Sequence, residues 1–222
     1  HMRIAIATPN RHVLGGAEQY LRALLPELLA QGHALAVLFE ATSEPAAGLI
    51  DDATPGVPTC QASGDSPAEA VRWLRTWGPD IVYCHGCHSP RVEEALLGAF
   101  PCALFAHGYY GTCATGEKSH RWPSSCTCAR RMGLACLVLN YARGCGLRDP
   151  RVRVGRYLLQ QARGRLLGRY RAVIAGSLHM RAELERHGCP PAQVHAVPLP
   201  NTALTTGGSA PEPRAFTARV LF

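Results

Sequence analysis

The sequence predicts an α/β protein with a doubly wound, mainly parallel, Rossmann-like sheet, and three observations support this class. Short, nearly continuous apolar runs alternate with longer amphipathic segments along most of the chain. An apolar run at 3–8, a helical pattern at 17–31 and an apolar run at 34–39 form a strand–helix–strand unit, which implies parallel pairing. The 222 residues, 47% hydrophobic and 18% charged, suffice for a core and exclude global disorder.

Each further element has its own signal. Leucines recur at helical spacing between 17 and 31, and Gly32 marks a helix stop. Ser66 followed by Pro67 predicts a helix start, and Gly78 predicts that this helix ends at 77. The other predicted strands are 57–60, 80–84, 102–107, 172–175 and 194–198, and the other predicted helices are 89–100, 130–141, 152–170 and 177–187.

The apolar runs are all short, the longest lying near 134–139. A membrane-spanning helix needs roughly 20 apolar residues, so none is expected. The first apolar run, 4–7, is also too short for the hydrophobic core of a signal peptide. We therefore expect a cytoplasmic protein.

The net charge of +7 is unevenly distributed. Residues 118–171 hold thirteen basic residues and one acid, which gives +12, and the rest of the chain carries −5. Such a segment favours an anionic partner: a phosphate, anionic lipid or nucleic acid. Its helix 152–170 has a basic amphipathic pattern, which suits a membrane surface. An Arg-rich solvated surface, with the apolar face of that helix packed on the sheet, is the simpler alternative.

Gly15 and Gly16 lie between the first strand and the first helix. Glycines there let backbone N–H groups approach a ligand, and a helix N-terminus favours an anion. The spacing is neither a G-x-G-x-x-G fingerprint nor a P-loop. Glu18, in the first helical turn, would partly neutralise such a site or cap the helix. A plain turn is the alternative.

In order and spacing, several segments resemble the N-terminal domain of family 4 glycosyltransferases, which have the GT-B fold. The matching segments are the opening strand 2–8, the Gly-Gly-Ala-Glu loop 15–18, Gly32-His33, the strand 79–85 ending in His85, the Phe-Ala-His-Gly segment 105–108, and the stretch 172–198. Arg219-Val220-Leu221-Phe222 looks like the first strand of that family's second domain.

This resemblance implies a domain organisation. It places a Rossmann-like acceptor-side domain at 1–200, with a Cys-rich basic insert at 108–171, a linker at 201–216 and the start of a truncated C-terminal donor domain at 217–222. It also implies a nucleotide-sugar-dependent, retaining glycosyltransferase that modifies a sugar or lipid-linked sugar. The donor would be bound mainly by the C-terminal domain, so we expect this fragment to be inactive alone.

The resemblance also suggests roles for individual residues. His107 would face the transferred sugar as the catalytic residue, and Gly15 and Gly16 would lie beside the donor phosphates. The full set of expected substrate-binding residues is Gly15, Gly16, Glu18, His85, Gly108, Tyr109, Ser177 and Arg181. Structural histidines are the alternative for His85 and His107.

Ten cysteines are many for a chain without a signal peptide, which favours metal or catalytic roles over disulfides. Five fall within 113–145, but they lack paired C-x2-C knuckles. The insert resembles one carried by a subset of the family, and the matching residues are Cys113, Cys128, Cys136 and Cys145. This resemblance implies a structural zinc site. Cys126 and His120 would be extra or substitute ligands. Disulfides formed after purification and free buried thiols stay open.

Two rival functions remain. Cys84-His85-Gly86-Cys87 is a C-x-x-C motif between a strand and a helix, a setting that fits a thiol oxidoreductase. Residues 113–171 could instead form a metal-stabilised nucleic-acid-binding module. Under the glycosyltransferase hypothesis we expect no nucleic acid, and we expect residues 118–171 to rest peripherally on the inner face of the membrane.

Overall fold

The computed structural model describes residues 1–41, 48–146 and 149–198, and its centre is a sheet of seven strands. In chain order the strands are β1 (Arg3–Asn10), β2 (Ala34–Ala41), β3 (Thr59–Gln61), β4 (Ile81–Cys84), β5 (Cys102–Ala106), β6 (Ser119–His120), β7 (Cys126–Thr127), β8 (Ala172–Ala175) and β9 (Val194–Ala196). Strands β6 and β7 pair as a separate antiparallel hairpin. All pairs in the main sheet are parallel.

The sheet has the order β3-β2-β1-β4-β5-β8-β9, so the chain first moves outward from β1 and then returns to its other side. This reversal between β1 and β4 is the switch point of a doubly wound fold, where ligands bind beyond the carboxyl ends of the strands. The predicted α/β, Rossmann-like fold class is confirmed.

Within residues 1–41, 48–146 and 149–198, six α-helices and two single-turn 3₁₀ helices connect the strands. They are α1 (Gly16–Ala30), α2 (Pro67–Trp77), α3 (Pro90–Ala99), α4 (Ala135–Arg143), α5 (Pro150–Leu166) and α6 (Leu178–Arg186), with 3₁₀ turns at Leu167–Arg169 and Pro191–Gln193. Several of their ends follow the local sequence signals: the hydroxyls of Ser89 and Ser177 cap α3 and α6, and Gly78 ends α2 in a left-handed conformation. Among the described residues, no helix is long and apolar enough to cross a membrane.

The core lies on both faces of the sheet because successive strand residues point to opposite sides. On one face Ile4 and Ile6 pack with Leu21 and Leu25 of α1. On the other face the alternate residues of the same strands pack with α2 and α3. Both layers therefore hold the carboxyl ends of β1, β4 and β5 in fixed positions.

The structure corrects two predicted elements outside the sheet. The helix predicted at 130–141 begins only at Ala135. The residues before it make contacts outside the helix: Lys118 donates to the carbonyl of Arg130, and the backbone N–H of Met132 donates to His187. The helix predicted at 152–170 begins earlier, where Asp149 caps its first turn, and it ends at Leu166. The predicted linker 201–216 and final strand 217–222 lie outside the described residues.

Candidate functional site

The candidate site lies at the carboxyl edge of the sheet, around its switch point. His85 directly follows β4 and His107 directly follows β5, while Gly15 and Gly16 stand at the start of α1 after β1. Three separate predicted segments are thus brought to one edge by the strand order. Ser177 follows β8, the next strand along that edge.

The two histidines form a direct pair. His85 Nδ1 lies 2.8 Å from His107 Nε2, and the backbone N–H of His85 donates to the carbonyl of Ala7 on β1. His85 is buried and His107 is half-buried. Burial lowers the pKa of His85 well below its usual value, and the neighbouring His107 lowers it further. Burial also lowers the pKa of His107, although the nearby Glu18 carboxylate acts in the opposite direction. Both rings are therefore neutral at pH 7.

Three aromatic rings hold this pair in place. Tyr83 meets His85 edge-on with ring centroids 4.4 Å apart, and Phe105 stacks nearly parallel to the same ring. The Tyr20 ring of α1 lies 5.7 Å from both histidines. Sequence reasoning did not single out these aromatic residues. Their positions next to His85 and His107 in neighbouring strands, and on the inner face of α1, were the available signal.

Glu18 links the glycine loop to the histidine pair, because it bonds to the loop and its charge acts on His107. Its carboxylate accepts the backbone N–H of Gly15 at 3.0 Å and the side-chain amide of Asn10 at 3.3 Å, so Glu18 caps α1 as one of its two expected roles. Neither Gly15 nor Gly16 has a positive φ. A Cβ added at Gly16 would meet nothing within 4 Å. The fold itself therefore does not require glycine at 16, which leaves close approach by a ligand as a physical reason for it.

A network of polar side chains, which the sequence did not reveal, joins the ends of β1 and β2 to the loop after β4. The carboxylate of Glu40 accepts the backbone N–H groups of His88 and Ser89 at the start of α3. The His88 ring lies 3.2 Å from the amide oxygen of Asn10. Burial raises the pKa of Glu40, against these two hydrogen bonds. The network fixes the loop after β4, and with it the backbone of His85.

The remaining predicted binding residues lie along the same edge but have structural partners. Ser177 caps α6 through a hydrogen bond from the backbone of Met180, and Arg181 forms an ion pair with Glu185 at 2.7 Å. Tyr109 meets the ring of His179 edge-on at 5.9 Å, which connects the loop after β5 to α6. Gly108 lies in the same loop. Binding by these four residues stays a prediction.

The four predicted metal ligands line one small cavity of about 50 Å³. Cys113 comes from the loop after β5, Cys128 follows β7, Cys136 lies in the first turn of α4 and Cys145 follows the end of α4. The described residues contain no group of three or more His, Cys, Asp or Glu side chains that could hold a metal ion as placed. Cys126 instead lies 3.3 Å from His120 in the hairpin, away from this cavity.

The surroundings of the cavity shift the pKa of two of these thiols, Cys145 and Cys113, in opposite directions. Burial raises the pKa of Cys145, and the neighbouring Cys128, Cys113 and Cys136 raise it further. Burial alone would also raise the pKa of Cys113. Hydrogen bonds to its sulfur from Thr115, Lys118 and Gly116 outweigh burial and lower that pKa.

The C-x-x-C motif lacks the environment of a redox site. Cys84 and Cys87 are both buried. A hydrogen bond with Cys102, together with burial, raises the pKa of Cys84 well above its usual value, and burial does the same for Cys87. A thiol oxidoreductase needs an accessible thiol with a lowered pKa. The geometry therefore gives the rival function no support.

Comparison with known proteins decides the family. The sequence profile of glycosyltransferase family 4 matches residues 14–200. The chain belongs to this family. The family predicted from the Gly-Gly-x-Glu loop and the strand-end histidines is confirmed. No curated protein sequence gives a significant match.

Solved structures share the family fold at low sequence identity. HepE of Anabaena, in complex with UDP, superposes with a TM-score of 0.51 at 12% identity over 89% of this chain and 44% of that one. A glycosyltransferase from Rickettsia africae superposes with a TM-score of 0.51 at 8% identity, over 89% of this chain and 43% of that one. Staphylococcus aureus MnaA with UDP superposes with a TM-score of 0.50 at 14% identity, over 87% of this chain and 43% of that one. The family 4 chain described here thus spans less than half the length of these structures.

Proposed function

We propose that this chain is the N-terminal, acceptor-side half of a retaining, nucleotide-sugar-dependent glycosyltransferase that works in the cytoplasm. Family membership supports glycosyl transfer. The single structural observation that carries the assignment of the site is the His85–His107 pair, which stands at the switch point beside the open Gly15-Gly16 turn. UDP in the HepE and MnaA structures supports a nucleotide donor.

The hydrogen bond between the histidines defines what His107 offers a substrate. Each neutral imidazole has one N–H donor and one acceptor nitrogen. His85 Nε2 is buried and has no partner among the described residues. A buried N–H without a partner is rarer than a buried acceptor without one, so His85 carries its proton on Nδ1 and donates to His107 Nε2. His107 then carries its proton on Nδ1, and it presents a hydrogen-bond donor rather than a base.

A hydrogen-bond donor at His107 suits the proposed reaction. Retaining transfer from a sugar nucleotide needs oriented hydroxyls and a stabilised diphosphate more than a strong base. His107 Nδ1–H would orient an oxygen of the transferred sugar. The open turn at Gly15 and Gly16 lets the diphosphate approach the start of α1, where the helix dipole favours negative charge. Ser177, Arg181, Gly108 and Tyr109 would line the acceptor side of the same edge.

The test compares two proteins: this chain, and the same chain continued by a second Rossmann-like domain. We expect the two-domain protein to transfer sugar from a UDP-sugar to an acceptor with retained anomeric configuration, measured by proton NMR of the product. We expect the 222-residue chain to give no transfer. Turnover by the chain alone, or an inverted product, would contradict the proposal.

We also propose that residues 118–171 meet an anionic membrane surface, where a lipid-linked acceptor would lie. Of the eleven large apolar side chains that are exposed among the described residues, seven fall in this +12 segment: Trp122, Leu134, Val138, Tyr141, Val152, Val154 and Leu158. Leu134, at the N-cap of α4, and Val138 and Tyr141 within α4 follow the spacing of one helical face. Exposed apolar residues among arginines favour a lipid surface, and each arginine near it contributes about 1 kcal/mol.

Sedimentation with vesicles tests the membrane proposal. We expect binding to equal parts phosphatidylglycerol and phosphatidylcholine, weak binding to phosphatidylcholine alone, and loss of binding in Val138→Glu. Leu178→Glu, at an equally exposed position outside the segment, is the matched control. Equal binding by both variants would contradict the proposal, and a steep salt dependence of DNA or RNA binding would favour the nucleic-acid alternative.

Finally, we propose that Cys113, Cys128, Cys136 and Cys145 hold a structural zinc ion. Four thiolates are the ligand set of structural zinc sites. The four side chains line one cavity, and the sulfurs would have to turn toward one another to bind the ion. Zinc bound there would fold a segment that has almost no apolar core of its own.

Elemental analysis of the reduced protein tests the zinc proposal. We expect about one zinc per chain, lost in Cys136→Ser and kept in Cys60→Ser, whose half-buried thiol lies on β3 far along the sequence from the insert. Less than about half an equivalent in the wild type, or equal zinc in both variants, would count against the site.

A further inference from the structure

Arg153, on the first turns of α5, is a buried cation with unsatisfied hydrogen-bonding groups. The residue is 9% exposed, and neither Nε nor Nη1 has a hydrogen-bond partner. No carboxylate of the described residues forms an ion pair with it, whereas the other buried cation, Lys118, is paired with Glu183. A buried charge is costly unless it is paired and hydrogen-bonded, so an arginine in this state indicates a missing anion.

The cavity that Arg153 lines identifies the anion. Its other lining residues include the four predicted zinc ligands and two further arginines, Arg130 and Arg143, and no acidic side chain is among them. The guanidinium packs on the ring of Tyr141, with the guanidinium carbon 3.5 Å from the ring centroid. The cation is therefore held against α4, at the wall of the cavity that the four thiols also line.

We propose that Arg153 is the counter-charge of a zinc tetrathiolate formed by Cys113, Cys128, Cys136 and Cys145. This inference rests on the zinc ion proposed above. A zinc ion with four thiolates has a net charge of −2, and its sulfurs accept hydrogen bonds. Arg153 Nε and Nη1 supply the two donors that the described structure leaves without acceptors. Binding the ion then satisfies the ligands and the guanidinium together.

The pairing of Arg153 with the proposed zinc centre would also place that centre on the helix that packs against the candidate active site. Arg153 lies on α5, and Gln160 of the same helix accepts the backbone N–H of Gly111 at 2.8 Å. Gly111 and Gly164 approach so closely that a Cβ on Gly111 would lie 2.9 Å from the Gly164 backbone. The helix that Arg153 anchors is therefore the one against which the loop after His107 rests.

Transfer of zinc from the loaded chain to a chromogenic chelator tests this role. Arg153→Met is expected to bind one zinc but to hold it about 10–100-fold more weakly, which is the usual effect of losing an outer partner. Arg151→Met, an exposed arginine on the same helix turn, is expected to match the wild type. Equal zinc affinity in Arg153→Met and Arg151→Met would overturn the role of Arg153 while leaving the zinc site itself intact.

Two further results complete the test. If Arg153→Met does not fold, Arg153→Lys keeps the cation but lacks the planar fork, and we expect its zinc affinity to fall below that of Arg151→Lys. Equal affinities of these two variants would overturn the proposal. A reduced wild-type chain that takes up no zinc when Zn²⁺ is added would overturn both the zinc site and the role of Arg153.

Discussion

The sheet and the part of the insert that lies before α5, residues 108–146, are held by different interactions. Strands β1, β2 and β5 bury nearly every apolar side chain they carry, and β4 buries Val82 and Cys84. In the insert, Ala114 is the one buried apolar side chain among the described residues 108–146, while Lys118, His120 and Asn140 are buried polar groups. Apolar packing therefore supports the edge that carries the histidine pair, and buried polar and charged groups support the segment beside it.

The comparison predicts that the largest single loss of stability comes from a charge. Lys118 Nζ lies 2.8 Å from Glu183 Oε2, and both side chains are almost fully buried. Lys118→Met would leave Glu183 buried without this partner, and we expect a loss of about 3–5 kcal/mol in urea unfolding.

A surface ion pair provides the control. Arg169 and Glu94 are exposed and 3.4 Å apart, so Arg169→Met should cost less than about 1 kcal/mol. Equal losses in the two variants would mean that the Lys118–Glu183 pair does not hold the insert to α6.

Truncating an apolar side chain should cost much stability in the sheet and little in the insert. Leu96 of α3 is fully buried under the sheet, and Leu96→Ala should cost about 2–5 kcal/mol. Val138 of α4 is 72% exposed, and Val138→Ala should change the unfolding free energy by no more than about 0.5 kcal/mol. A large loss in Val138→Ala would show that the insert has an apolar core after all.

A further expected stability effect is a pH dependence that belongs to the sheet edge. The pKa of His85 is lower in the folded chain than in the unfolded chain, so below pH about 6.5 the unfolded state takes up the proton first. Stability is full above that pH and falls as the pH drops, by at most about 1.4 kcal/mol per pH unit for this one group.

His85→Phe should lose that part of the pH dependence, as measured by urea unfolding between pH 5 and 7. His195→Asn, at an exposed histidine on β9, is the matched control and should keep it. If the slope below pH 6.5 is the same in all three proteins, His85 is not the neutral buried partner of His107.

The same contrast explains what could be predicted from the sequence. The strands and most helices of the sheet were predictable because burial leaves an apolar period in the sequence, and Ser177 and Gly78 mark ends that the structure has. The start of α4 was not predictable, because the backbone just before it is engaged by distant side chains, Lys118 and His187. The hydrogen bond between His85 and His107 needed the strand order as well as the residues. Nothing in the local sequence distinguishes the buried Arg153 from its exposed neighbours.

Sugar transfer by the two-domain protein with His107→Ala tests the central claim most directly. As a preorganised donor to the reacting sugar, His107 should contribute about 10²–10³-fold to kcat. We predict a loss of that size in His107→Ala, unchanged activity in His195→Ala, and normal folding in both. A kcat of His107→Ala within a factor of about two of the wild type would contradict the assignment of this edge as the site of glycosyl transfer.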